Sequence, residues 1–218
     1  MNRLLLALAL LPLLSCQPID PNGTDSGNAL TLSVEGAGIE GQPAGPQAPP
    51  LAYNGSLIDE AWLGIREVRF VSCDGSREKT DFVGAHAVDL LQTTELGTTT
   101  VDGEELCGIR FEVDEGLASP IEERSILMTG VTEGGTPWQI SSDLRETLRV
   151  DDGEGALMSD GEDFLVLLRF DLSLWLEEID FDEGVVTDGV IVINDSINDV
   201  LLDQFEENFK ASAELTRP

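Results

Sequence analysis

The sequence predicts a mainly β protein: an antiparallel β-sandwich or barrel with one amphipathic helix near its C-terminus. Short segments of alternating apolar and polar residues recur along the chain, and turn-forming residues separate them. The alternation changes to helical spacing only near the end. Many short strands with turns between them are typical of sandwiches and barrels. Residues 57–218 have no internal linker, so we expect them to form one domain.

The clearest strand signal lies at residues 106–114. Cys107, Ile109, Phe111 and Val113 share one face, and mostly polar residues share the other. This pattern is typical of an antiparallel strand with one solvated face. Residues 164–172 carry apolar side chains on both faces, which predicts a central strand. We also predict strands at residues 30–34, 62–71, 82–91, 125–132, 137–141, 144–150 and 190–193.

Helical periodicity follows the last of these strands. Ile197, Leu201 and Phe205 fall on one helical stripe. Ser196, with Asp199 three residues later, can cap the start of such a helix. We therefore predict a helix over residues 195–212 that lays its apolar side on the sheet.

A glycine-bearing turn, Glu133-Gly134-Gly135-Thr136, predicts a hairpin between two of the strands. Trp138 follows this turn and could stand at the rim of the domain as a binding residue for a glycan or peptide. The other aromatic candidates are Trp62, Trp175 and Tyr53. Core packing is the alternative, since it accounts for most tryptophans in a sandwich.

The N-terminus has the layout of a signal peptide over residues 1–15. Arg3 supplies a positive charge, and residues 4–14 are apolar. This run is shorter than the roughly 20 residues that a membrane-spanning helix needs. Leu13-Leu14-Ser15-Cys16 resembles the lipobox of bacterial lipoproteins, which implies that Cys16 is the lipidation site and binds the membrane through its lipid. The alternative is an ordinary secretory signal with Cys16 near its cleavage point.

Two segments follow Cys16 before the main domain. Residues 16–28 are predicted to form a lipidated cysteine followed by a flexible stalk. This stalk would hold the domain roughly 20 Å from the lipid surface. Residues 29–56 contain one strand and a Gly/Pro-rich stretch that is either a long loop or a continuation of the stalk. Gln17, directly after the cysteine, fits sorting to the outer membrane in enteric-type bacteria. We therefore expect a lipid-anchored protein of the cell envelope, on the periplasmic or surface face of the outer membrane.

The chain is strongly acidic, with 12 Lys+Arg, 42 Asp+Glu and a formal net charge of -30. Removal of Arg3 with the signal peptide changes this charge to -31. Such a charge repels phosphate backbones and anionic lipid headgroups, so we expect no nucleic-acid partner. It also means that the lipid must hold the domain to the membrane.

Three cysteines are present, and lipid on Cys16 leaves Cys73 and Cys107 as a possible disulfide in an oxidising compartment. Two unpaired thiols are the alternative, because spacing alone does not establish proximity. The chain has one histidine, His86, and no CxxC motif, which argues against a transition-metal site.

Several segments resemble an uncharacterised domain of bacterial lipoproteins, a domain of unknown function. They are WLGIREVRF at residues 62–70, AVDLL at 87–91, CGIRF at 107–111, TGVT at 129–132 with Trp138, and LRFDL at 168–172 with WL at 175–176. The resemblance covers roughly residues 57–180. It implies a transthyretin-like (prealbumin-like) sandwich, with an Ig-like sandwich as the other arrangement, and it implies no chemical site.

Four acidic clusters make calcium the most reasonable cofactor hypothesis, because hard cations prefer clustered oxygen ligands. Asp180 and Asp182 lead, since strand alternation would send both carboxylates to one side. None of the clusters has EF-hand spacing, and solvated turns are the alternative. The clusters are residues 151–154, 160–163 and 180–184, and residues 194–195 with 198–199.

Two common motifs of nucleophilic catalysis and phosphate binding are absent from the sequence. It contains neither Gly-x-Ser-x-Gly nor a phosphate-binding Gly-x-x-x-x-Gly-Lys. A Ser-His-Asp triad would need His86, the one histidine of the chain. This residue lies in a predicted strand, where we expect it to pack against its neighbours. We therefore predict a non-catalytic binding or interaction module, with an envelope protein or glycan as partner. The alternatives are a carboxylate-dependent, glycosidase-like hydrolase and a calcium-stabilised adhesion domain.

Overall fold

A computed structural model describes residues 28–38, 52–53, 55–75, 78–101, 105–115, 120–152 and 164–217. These residues form two β-sheets that pack around one apolar core, with two helices. The predicted class, a mainly β sandwich with a C-terminal helix, is confirmed. The signal peptide at residues 1–15, Cys16 and the stalk up to residue 27 lie outside the described residues, as does most of the Gly/Pro-rich stretch.

The elements follow in chain order. The strands are β1 Asn28–Ala37, β2 Ala52–Tyr53, β3 Ser56–Ser72, β4 Glu78–Asp89, β5 Thr94–Val101, β6 Leu106–Val113, β7 Ile126–Val131, β8 Pro137–Ser142, β9 Glu146–Asp151, β10 Phe164–Asp171, β11 Val186–Thr187, β12 Val190–Ile193 and β13 Ala213–Thr216. The helices are α1 Leu172–Trp175 and α2 Asp199–Ala211, and a 3-10 turn spans Phe181–Glu183.

The smaller sheet has the strand order β13-β10-β1-β5. In it β1 pairs with β10 in parallel, from Leu30 opposite Phe164 to Ala37 opposite Asp171, and with β5 in antiparallel orientation. The sequence-based boundary at residue 57 put β1 outside the sandwich, whereas β1 is an interior strand. The sheets are also mixed rather than purely antiparallel, because β8 and β12 form a second parallel pair.

The larger sheet is built around β3. Along one edge of β3, the first half pairs with β7 and the second half with β6. Along the opposite edge, β3 pairs with β4. Gly64 lies where the neighbour changes: its N–H donates to the Ser125 carbonyl and its carbonyl accepts from Asp114. A Cβ at this position would overlap the Asp114 carbonyl oxygen. The strand exchange therefore requires glycine.

Helix α2 closes the core through an aromatic cluster. Phe205 and Phe209 are fully buried and pack on the Trp175 ring, and Phe209 also stacks on Phe170. The Trp175 indole N–H donates to the Ser212 hydroxyl at 2.6 Å. The chain then turns back into β13, a strand that the sequence pattern did not predict.

The predicted start of this helix is wrong. α2 begins at Asp199 rather than at residue 195, and Ser196 with Asp199 does not cap it. The N-cap residue is Asn198, in the left-handed conformation, without a side-chain bond to the helix. Its amide side chain instead accepts from the Val185 N–H and donates to the Val192 carbonyl. Asn198 therefore connects the loop before α2 to strand β12 and to the residue that precedes β11.

Cys73 and Cys107 form a disulfide with their Cα atoms 4.6 Å apart, as the sequence predicts. The bridge links the residue after β3 to the second residue of β6. No helix among the described segments has the length and apolarity needed to cross a membrane.

Candidate binding groove

An open groove of about 800 Å³ lies at one end of the sandwich. Three separate parts of the chain form it: the turn between β2 and β3, the turn between β7 and β8, and the segment after α1. The described residues that line it are Tyr53, Ser56, Thr132, Glu133, Gly134, Thr136, Glu178, Ile179, Asp180, Phe181 and Asp182. A concave site of this volume is the usual form of a small-ligand site.

The β7–β8 turn is the predicted hairpin and is confirmed. The Thr132 N–H donates to the Thr136 carbonyl, and the Thr136 N–H donates to the Thr132 hydroxyl at 3.1 Å. Gly135 has φ +81°, which favours glycine. The turn places Glu133 against Gly55, where a Cβ would lie 2.9 Å from the Glu133 Cβ. Glycine at residue 55 therefore lets the two turns meet at the groove.

The opposite wall contains Asp180 and Asp182, but not in the predicted arrangement. They do not alternate along a strand, because the segment is a 3-10 turn that the Asp180 carboxylate caps by accepting from the Asp182 N–H at 2.9 Å. Both side chains are exposed. Within the described ranges, no three His, Cys, Asp or Glu side chains converge as a metal site. The acidic residues 153–154 and 160–163 lie outside the described part of the chain.

Trp138 lies beneath the groove. The rim position offered for it is wrong, and the alternative, packing in the core, is confirmed. Its side chain is 1% exposed, because strand alternation turns it into the core while Pro137 faces solvent. The indole stacks on Phe181 with ring centroids 5.0 Å apart and an interplanar angle of 27°. Trp138 therefore supports a groove-lining ring. Tyr53 is the aromatic candidate that lines the groove, and Trp175 is buried in the core.

The groove is acidic. Its walls carry four carboxylates, and the described lining residues include no lysine, arginine or histidine. The same surface offers the rings of Tyr53 and Phe181 and the hydroxyls of Ser56, Thr132 and Thr136. Carboxylates only accept hydrogen bonds, so this surface suits ligands with hydroxyl or amine donors and repels anions.

Five of the described arginines lie on a different surface, the outward face around β3, β6 and β9. Each arginine there has a carboxylate partner; they are Arg66, Arg69, Arg110, Arg145 and Arg149. Burial raises the pKa of Asp114, but the Glu115 backbone N–H and Arg66 outweigh it, so the pKa lies below its ordinary value. Exposed, mutually paired charges of this kind are a solvated surface. The groove therefore keeps its negative character.

His86 is outside the groove-lining set. It lies in β4 opposite Ile65 and is half-buried, and its Nε2 atom is buried with no hydrogen-bond partner among the residues that the structure describes. This placement agrees with the packed histidine that the sequence predicts.

No protein-family model and no curated protein matches the sequence. Among solved structures, the fold is similar to MbnP from Methylosinus trichosporium, with a TM-score of 0.45 and 12% sequence identity. The similar region covers 75% of this chain and 83% of that chain. The resemblance to the uncharacterised lipoprotein domain stays a prediction.

Proposed function

We propose that this chain is a lipid-anchored envelope protein whose sandwich is a non-catalytic binding module. The observation that supports the proposal is the groove, which combines an open volume of about 800 Å³ with aromatic and polar walls. Its ligand is a glycan of neutral or amino sugars. Sugar hydroxyls and amines donate to the carboxylates, and the faces of Tyr53 and Phe181 offer apolar contact to the rings of the sugars.

Attachment to the membrane comes from lipid on Cys16. A chain of formal net charge -30 is repelled by anionic headgroups and cannot adhere to them by charge. Two or more acyl chains provide a durable anchor, since each buried methylene contributes about 0.8 kcal/mol. The anchor therefore supplies location, and the groove supplies recognition.

A glycan array of neutral and amino-sugar oligosaccharides tests the groove. A soluble form of residues 17–218 is compared with the double variant Glu133→Gln, Asp182→Asn, which keeps side-chain size and removes two groove charges. The matched control, Glu122→Gln with Asp143→Asn, removes two exposed charges that do not line the groove.

We expect the unaltered form and the control to bind the same glycans. The groove variant should bind them at least about tenfold more weakly, since turning two charge-assisted hydrogen bonds into neutral ones costs roughly 2 kcal/mol in total. Equal binding by the groove variant would contradict the site. Failure to bind any arrayed glycan would contradict the ligand class. Cleavage of a bound glycan would contradict a non-catalytic module and favour the hydrolase alternative.

A further inference from the structure

The two ends of the sandwich differ in what they contain. β1 and β10 start side by side, since Leu30 lies opposite Phe164. Arg217, just after β13, pairs with Asp152, whose N–H donates to the Cys107 carbonyl beside the disulfide. The first described residue, Asn28, therefore enters the domain at the end that carries the disulfide. We call this end the tether end.

The groove lies at the opposite end. The Gly36 N–H, near the end of β1, donates to the Leu90 carbonyl, and the Leu90 N–H donates to the Ala61 carbonyl of β3. From Ala61, β3 continues away from the disulfide to Ser56, which lines the groove. At about 3.3 Å per strand residue, the groove lies about 40 Å from Asn28 along the strands.

The chain between Cys16 and Asn28 limits how the domain can turn. Residues 17–27 can reach at most about 40 Å when fully extended. To touch the anchoring membrane with the groove, this segment would have to run extended along the whole domain, which has a large entropic cost. The groove carboxylates would also meet the negative surface potential of anionic headgroups.

We propose that the groove faces away from the anchoring membrane, so that its ligand is a glycan in the aqueous space beyond the protein and not a lipid headgroup beneath it. This inference rests on the proposed function, because it needs both the lipid on Cys16 and the groove. The inference extends the proposed function by stating which side of the membrane-bound protein binds the ligand.

Fluorescence energy transfer to the membrane tests this orientation. The full chain has three cysteines, of which one is predicted to carry lipid and two form the disulfide, so an introduced cysteine is the only free thiol. Gly134→Cys places a donor dye on the groove turn, where a Cβ would make only an ordinary van der Waals contact with the Thr132 hydroxyl at 3.8 Å. Leu165→Cys places it on an exposed side chain opposite Thr31, near the tether end. Neither substitution alters the core.

Each labelled lipoprotein is reconstituted in vesicles whose headgroups carry the acceptor. We expect clearly higher transfer from the dye at residue 165 than from the dye at residue 134, because the two positions differ by about 30 Å along the strands. Equal transfer, or higher transfer from residue 134, would overturn the orientation. Flotation of the same samples separates the causes: a chain that does not float with vesicles refutes the anchor, and a chain that floats with reversed transfer refutes only the orientation.

Discussion

Truncating Phe209 to alanine should cost about 4 kcal/mol of the free energy of unfolding. The ring is fully buried, with centroids 5.8 Å from Phe170 and 5.1 Å from Trp175. Phe-to-Ala changes in cores cost about 3–5 kcal/mol, because they remove apolar burial and leave a cavity. Lost aromatic pairs add about 0.5–1.5 kcal/mol each, partly offset by relaxation of α2. Urea unfolding followed by tryptophan fluorescence measures the loss.

Val200→Ala is the matched control on the same helix, since its side chain is 74% exposed. This change should alter the free energy of unfolding by less than about 0.5 kcal/mol. Phe209→Leu, which keeps most of the volume, should recover much of the stability. A loss below about 1 kcal/mol for Phe209→Ala would refute the role of α2 as part of the core.

Three further predictions concern other parts of the fold. Replacing Cys73 and Cys107 with serine should lower the free energy of unfolding by about 3–4 kcal/mol, because the bridge closes a loop between residues 34 apart; equal urea midpoints with and without the bridge would contradict this. Gly64→Ala should destabilise the domain by at least about 1–3 kcal/mol through overlap with a neighbouring carbonyl, measured as a lower melting temperature. Burial raises the pKa of Glu206, although a hydrogen bond from Ser142 opposes this shift. The protonated carboxyl of Glu206 therefore stabilises the fold below the unfolded-state pKa, and this stabilisation is lost as pH rises through the folded-state pKa. Glu206→Gln should therefore raise the urea midpoint at neutral pH relative to the unaltered chain but not at acidic pH, and the opposite pH dependence would refute the assignment.

Several of the strands that the sequence predicts correctly have a clear period of two. Residues 106–114 are the best example, because Ile109, Phe111 and Val113 are all fully buried in β6. Alternation shows which face of a strand is buried. Alternation does not identify the neighbouring strand. The parallel pairing of β1 with β10 therefore cannot be predicted from local sequence, because it joins residues as distant as Glu35 and Arg169, 134 positions apart.

Elements with weak alternation were missed. β5, Thr94–Val101, is rich in threonine and has few apolar side chains, so its residues resemble a loop. The start of α2 was misplaced because Asn198 adopts a left-handed conformation set by its contacts with Val185 and Val192. Those contacts depend on tertiary structure, which local capping rules do not include.

The groove could not be predicted because it exists only where three distant segments meet. The sequence named Tyr53, Asp180 and Asp182 separately, and the fold brings them to one surface. The sequence offers Trp138 as a rim residue with core packing as the alternative, and the alternation of β8 turns it inward beneath Phe181, as that alternative predicts. The sequence indicates only two of the groove's walls, because these are turns rich in glycine or acidic residues.

The most direct test of the account is the fate of the chain when Cys16 is replaced by serine. We predict that the unaltered protein floats with membranes in high salt, and that mass spectrometry finds diacylglycerol on a mature N-terminal peptide starting at Cys16. Cys16→Ser should leave the domain folded and move it to the soluble fraction. A Cys16→Ser protein that still floats with membranes, or an unmodified Cys16 in the native protein, would contradict the lipid anchor on which the proposed function depends.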